Sequence, residues 1–126
     1  TCCTDASRKL KETLKVTALS VTQPKLNSTL LFEATPDIIA QWSELANIPS
    51  GIFLTHAHMG HYTGLIHLGR EALGAKNIPV YSMPRMTSFL KENAPWSQLV
   101  DLQNIKLIEL RKIITTILVN WRLLLL

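Results

Sequence analysis

Apolar and polar positions change their period several times along this chain, and the changes outline a mixed α/β domain. Val16 to Val21 alternate between apolar and polar, Ser28 to Ala34 form a second strand-like run, and Pro24 and Asn27 supply turn chemistry between them. That pattern predicts an antiparallel hairpin. Thr35-Pro36-Asp37 then opens a helix, with Thr35 as N-cap and Pro36 in the first helical position. Ile38, Ile39, Trp42, Leu45 and Ala46 recur at helical spacing and form its expected buried face. Pro49 to Gly51 end the helix, and Gly51 to Thr55 make a short buried strand.

Helical spacing resumes from Tyr62 to Ala75, where Leu65, Leu68, Ala72 and Leu73 face inward and Gly74 stands near the end. Val80 to Met83 is a further strand. A helix runs from Arg85 through Phe89 and Leu90 to about Asn93, breaks before Pro95, and is followed by a short helical turn from Trp96 to Val100. Ile105 to Leu110 reads as another strand. The β-branched run Ile113 to Val119 fits a strand too, and Leu123 to Leu126 looks like a strand cut off or a reading-frame artefact. The segment Ile113 to Leu126 is only 14 residues long and is interrupted by Asn120 and Arg122. A spanning helix needs about 20, so no membrane span is expected.

Composition narrows the class without naming a function. With 126 residues, 47% hydrophobic and 17% charged, the chain is suited to one small packed domain and is not a disordered sequence. Its net charge of +4 is spread along the sequence, densest at Arg8, Lys9 and Lys11, without an arginine–aromatic stripe. No specific nucleic-acid partner is expected from that pattern. Cys2 and Cys3 are the only cysteines and are neighbours, a spacing that rarely closes a disulfide. They read as free thiols. No signal peptide opens the sequence, and neither compartment nor oligomeric state follows from it.

The chemistry concentrates in Thr55-His56-Ala57-His58-Met59-Gly60-His61, directly after the strand expected over Gly51 to Thr55. Imidazole nitrogens bind zinc at about 2.0–2.1 Å, and a catalytic zinc takes three protein ligands and a water. Side chains two apart on an extended backbone point the same way, so His56 and His58 can converge on one ion. His61 follows a glycine that lets the chain turn, and would face the same pocket from the next helix. His67, four residues before Glu71, reads instead as half of an i,i+4 pair on that helix. Asp37 lies in a first helical turn, where the dipole alone favours a carboxylate. Tyr81 and Arg85 lie past a strand end; both are within reach of a substrate anion, but a surface role is the expectation.

The stretch Thr55 to Leu65, THAHMGHYTGL, resembles the H-x-H-x-D-H motif of the metallo-β-lactamase superfamily. Leu31-Phe32-Glu33-Ala34-Thr35-Pro36-Asp37 and Val80-Tyr81-Ser82-Met83-Pro84-Arg85-Met86 are similar to the branch that includes the pyrroloquinoline quinone biosynthesis protein B-like metallo-hydrolases. The similarity runs from about residue 17 to about 111, leaving 1–12 and 113–126 as atypical ends. It implies an α/β fold, a partial αββα sandwich corresponding to roughly the N-terminal half, because 126 residues supply about one of its two similar halves. With no initiator methionine at Thr1, the chain is expected to be a fragment, an incomplete domain over 1–126.

Carried over, the resemblance assigns His56 and His58 to a first metal and His61 to a second. Gly60 stands where the motif has an aspartate, so one zinc is expected, with the second site weakened; histidine donors also suit iron or manganese. The superfamily's later ligands, two histidines and a bridging aspartate, have no counterpart, since no histidine follows His67. Glu33 lies near the position of a buried acid in the family. It either steadies a histidine ligand from behind or is a partly exposed strand-end carboxylate. Cys2 and Cys3 have an alternative as the tail of a cysteine-rich zinc segment found in the branch. The implied function is metal-dependent hydrolysis of a small-molecule ester, amide or phosphodiester, with no catalytic residue assigned beyond the metal ligands. A role in quinone-cofactor biosynthesis and a noncatalytic metal-binding fragment are the alternatives.

Overall fold

The computed structural model describes residues 14–110 and the strand Arg122–Leu125. Cys2, Cys3 and the run Ile113 to Val119 lie outside the described residues. Among the described residues six strands form one sheet: β1 (Leu19–Gln23), β2 (Ser28–Phe32), β3 (Gly51–Phe53), β4 (Ile78–Ser82), β5 (Ile105–Glu109) and β6 (Arg122–Leu125), in the spatial order β5-β4-β3-β2-β1-β6. The hairpin forms as expected, β1 pairing antiparallel with β2 so that Leu19 faces Phe32 and Gln23 faces Ser28. A 3-10 turn, Pro24–Leu26, joins them, and Asn27 closes it in the left-handed conformation that asparagine tolerates. β2, β3, β4 and β5 are mutually parallel, and β6 pairs antiparallel with β1. Residues 123–125 of the 123–126 run, expected to be a strand cut off or a reading-frame artefact, lie in β6, the outermost strand among the described residues.

Register sorts the sheet into two unlike faces. Leu31, Ile52 and Val80 lie opposite one another on one face, all fully buried, with Leu107 next in line. Ile38, Leu65, Leu68, Met86, Leu90 and Leu99 pack over them and complete the core. The helices that carry these residues are α1 (Ile38–Ser43), α3 (Pro84–Glu92) and α4 (Trp96–Asp101), together with the 3-10 segment Thr63–Leu68. On the other face Phe32, Phe53 and Tyr81 stack in register, with ring centroids 5.1 and 4.4 Å apart. Such stacked pairs add to what area burial alone contributes.

The first helix is shorter than its periodicity predicts and starts later. The regular helix starts at Ile38 with Asp37 in the cap position, while the Thr35 hydroxyl makes the bond expected of a capping threonine one turn earlier: it accepts from the Asp37 amide at 3.2 Å and donates to Gln41 Oε1 at 2.6 Å. The helix stops at Ser43, whose hydroxyl donates to the Ala40 carbonyl and competes with the helical ladder. Ile39 and Ala46 are consequently exposed, and the buried positions are Ile38 and the polar Gln41. Asp37 does more than complement a dipole, since its carboxylate accepts from the Val16 amide at 2.7 Å.

Gln41 is fully buried, with Nε2 donating to the Val16 carbonyl at 2.6 Å. Together, Asp37 and Gln41 pin the lead into β1 against α1. Gln41→Ala would take the acceptor from the buried Thr35 hydroxyl, which keeps only the Asp37 amide, and the side-chain donor from the half-exposed Val16 carbonyl. Buried groups left unpaired cost about 1–3 kcal/mol each. Relaxation and partial rehydration offset some of this, so a loss of about 2 kcal/mol is expected on urea unfolding; a midpoint equal to wild type would contradict it.

The helix predicted over Tyr62 to Ala75 does not form. A single α-helical turn, α2 (Met59–Tyr62), passes into the 3-10 segment Thr63–Leu68 and then into turns, with Gly74 at a φ of +55°. Leu65 and Leu68 are buried as predicted, whereas Ala72 and Leu73 are exposed. The competing interaction is tertiary. The Gly64 amide donates to the Ala34 carbonyl at 2.9 Å, and the Ala34 amide donates to the His61 carbonyl at 2.8 Å. Backbone groups that a continuous helix needs internally are thus committed to the chain leaving β2. Without that helix, the predicted i,i+4 geometry of His67 and Glu71 is absent.

Candidate metal centre

Two segments leave the sheet close together, and a third returns over them to build one site. β2 exits through Glu33, β3 exits through Leu54 and Thr55 to His56, and the α2 turn brings His61 back over both. The exits are held in place by ladder bonds beyond the strand ends: Glu33 N–H to the Phe53 carbonyl and Leu54 N–H to the Tyr81 carbonyl, each 2.9 Å. The α2 turn is itself closed by the His61 amide donating to the His58 carbonyl at 2.9 Å. The carboxyl ends of parallel strands are where open α/β sheets commonly place their sites.

Glu33 is the buried member, only 7% exposed, and its backbone has a φ of +74°. That region is costly for a residue with a Cβ, and such residues persist only where the surroundings hold them. One carboxylate oxygen accepts from the Thr55 hydroxyl, and the other lies 3.5 Å from the Thr55 amide. The same Thr55 hydroxyl lies 2.7 Å from His56 Nδ1. Of the two readings the sequence left open for Glu33, the geometry is not that of a loose strand-end carboxylate.

The three predicted histidines come together. His56 and His61 have ring centroids 4.1 Å apart, His56 and His58 meet edge-on at 4.6 Å, and His58 and His61 are 6.4 Å apart. The donor atoms that lie within 4.8 Å of one another belong to Glu33, His56 and His61. His58 stands beside this set, exposed, with its ring against His56. The resemblance suggested Glu33 as an acid steadying a ligand from behind; its carboxylate also lies close enough to the His56 and His61 nitrogens to be a donor itself. No sequence signal marks that difference, because it depends on the positive φ and on the return of the α2 turn. Thr55, too, stood in the motif without an assigned role.

The donor set fits a metal ion. Donors about 2.1 Å from a common ion are at most about 4.2 Å apart, so a spread within 4.8 Å closes by small side-chain rotations. His61 Nδ1 is buried without a hydrogen-bond partner, and its nearest charged neighbour, Glu33 Oε2, is 3.8 Å away. That distance is too long for a hydrogen bond, so a buried lone pair or N–H is left over, as a cation between the two groups would require. Two imidazoles and one carboxylate are a common zinc donor set. Of the other residues considered, Tyr81 is half-buried and stacked on Phe53, and Arg85 is exposed on α3.

No protein-family model and no curated protein matches this sequence. Among solved structures, Zn(2+)-bound PqqB from Methylobacterium extorquens matches with a TM-score of 0.60 and 17% identity, over 75% of this chain and 35% of that one. A new diphosphatase from the PhnP family matches with a TM-score of 0.49 and 20% identity, over 68% of this chain and 34% of that one. The likeness to the first shows the fold: the chain has part of the metallo-β-lactamase architecture and spans about a third of the solved chain's length. No helix among the described residues is long and apolar enough to cross a membrane.

Proposed function

We propose that this chain carries the histidine-bearing part of a zinc-dependent hydrolase that acts on a small-molecule ester, amide or phosphodiester. The observation that supports it is the convergence of Glu33, His56 and His61 at the carboxyl end of a parallel sheet, with donors within 4.8 Å. His56, His58 and Met59 are exposed around that convergence, so a small molecule reaches it from solvent. Glu33 supplies a buried negative charge beneath the two imidazoles and favours a cation over a neutral ligand. Bound there, zinc would supply Lewis-acid polarisation of the scissile group and an activated water. Iron or manganese would suit the same donors less specifically. The structural neighbour was solved with zinc, which agrees with the first choice.

Zinc titration of the chain tests the reading. One equivalent is expected, and Glu33→Gln and His56→Ala are each expected to weaken binding about 10–100-fold, the range typical of losing a group that holds or orients a ligand. Titrations unchanged in both variants would overturn it. Metal binding without turnover is a second reading, favoured by Gly60, which brings no carboxylate to the motif. Hydrolysis of p-nitrophenyl acetate or bis(p-nitrophenyl) phosphate by the zinc-loaded protein distinguishes the two. A role in quinone-cofactor biosynthesis would instead call for redox-active iron in the purified protein.

A further inference from the structure

We infer that Thr55 is a positioning residue that fixes which ring nitrogen of His56 is free. A threonine hydroxyl has one hydrogen to give and two lone pairs with which to accept. A carboxylate only accepts, so the contact between Thr55 Oγ1 and Glu33 Oε1 uses that one hydrogen. The second contact of the same oxygen, 2.7 Å to His56 Nδ1, therefore has the ring as donor. Nδ1 carries the proton, and in the neutral imidazole Nε2 is then the bare nitrogen.

The arrangement is anchored from below. Glu33 is buried, and its second carboxylate oxygen lies 3.5 Å from the Thr55 amide, so one residue grips the carboxylate through both backbone and side chain. The exposed His56 ring is thereby connected through a single hydroxyl to a buried charge. Without that hydroxyl nothing in the contact distinguishes the two tautomers. With it, the chain presents Nε2 as a permanent lone pair, whether the partner is a metal ion or a proton. The use made of that lone pair rests on the metal reading above; the assignment of the tautomer does not.

Long-range ¹H–¹⁵N spectra of the imidazole nitrogens read the tautomer directly in the metal-free protein, at a pH where the ring is neutral. The expected result for wild type is a protonated Nδ1 and an unprotonated Nε2 on His56, retained in Thr55→Ser. Thr55→Val should shift the ring toward the Nε2–H form and weaken zinc binding about 10–100-fold, as loss of an orienting hydrogen bond does. A wild-type His56 protonated on Nε2 would overturn the inference without any variant. So would a folded Thr55→Val protein that keeps the wild-type tautomer. Because the tautomer is read without metal, a protein that binds no zinc leaves it intact. A wrong tautomer in a protein that does bind zinc defeats this inference alone.

Discussion

Gly64→Ala is expected to lose most of the stability of the domain. A Cβ at position 64 would sit 1.8 Å from the Thr35 carbonyl oxygen, 2.7 Å from the Thr35 carbonyl carbon and 2.9 Å from the Ala34 oxygen. All three are backbone atoms, so no side-chain rotation relieves the clash. Nor is there slack nearby, since Thr35 is fully buried, Gly64 donates to Ala34, and Leu65 follows directly in the core. The chain between residues 58 and 64 would have to withdraw from the segment leaving β2 and take core leucines with it. Overpacking usually costs about 1–3 kcal/mol. Here rigid atoms overlap by more than an ångström, and a loss of about 4 kcal/mol or more is expected, comparable with the whole stability of a small domain. Thermal unfolding followed by circular dichroism measures it, and zinc binding should fall in parallel because the same turn carries His61. A variant that melts with wild type would show that the two segments do not approach as described.

Gly60→Asp has the opposite character, adding a donor while leaving the fold alone. A Cβ at Gly60 meets only Val16 Cγ1 at 3.8 Å, an ordinary van der Waals contact. Gly60 lies in the first turn of α2, one residue before His61, where a carboxylate is also tolerated electrostatically. In the motif the chain resembles, this position is an aspartate serving the second metal. The substitution supplies that carboxylate but none of the later ligands, and His61 already belongs to the set with Glu33 and His56, so zinc stoichiometry is expected to stay at one equivalent, with an unfolding midpoint close to that of the starting protein. Isothermal titration together with elemental analysis reads the count. A variant that takes two equivalents would show that a carboxylate at position 60 completes a second site without the later ligands.

The contrast between these two glycines shows what was legible in the sequence and what was not. The hairpin, the strand positions and the delivery of the histidines follow from local chemistry: Pro24 and Asn27 for the turn, the apolar run before Thr55, and two-residue spacing. The fold class was readable from the resemblance that the histidine motif carries. The helix over 62–75 was misread because Leu65 and Leu68 are buried at a spacing that a 3-10 turn also provides. The interaction that breaks it, Gly64 against Ala34 and Thr35, joins residues about thirty apart in the chain. Asp37 was read too narrowly and Gln41 carried no signal at all, since the partner of both is Val16, more than twenty residues away. Spacing singled out the three histidines and the resemblance added Glu33, but the closeness of its carboxylate to the imidazoles was not legible, because it depends on a backbone conformation that the identity of residue 33 argues against.

That conformation sets two requirements against each other at one position. At a φ of +74°, residue 33 suits glycine or asparagine better than glutamate. A sequence chosen for durability alone would replace it, gaining backbone comfort and losing the acid beneath the histidines. Stabilising changes are easily found in proteins, and where they touch a strained functional group their usual cost is function. Residue 33 is therefore a place where folding and chemistry disagree about the preferred amino acid. A population of this sequence drifting without need of the site would be expected to abandon glutamate there before it abandons the core.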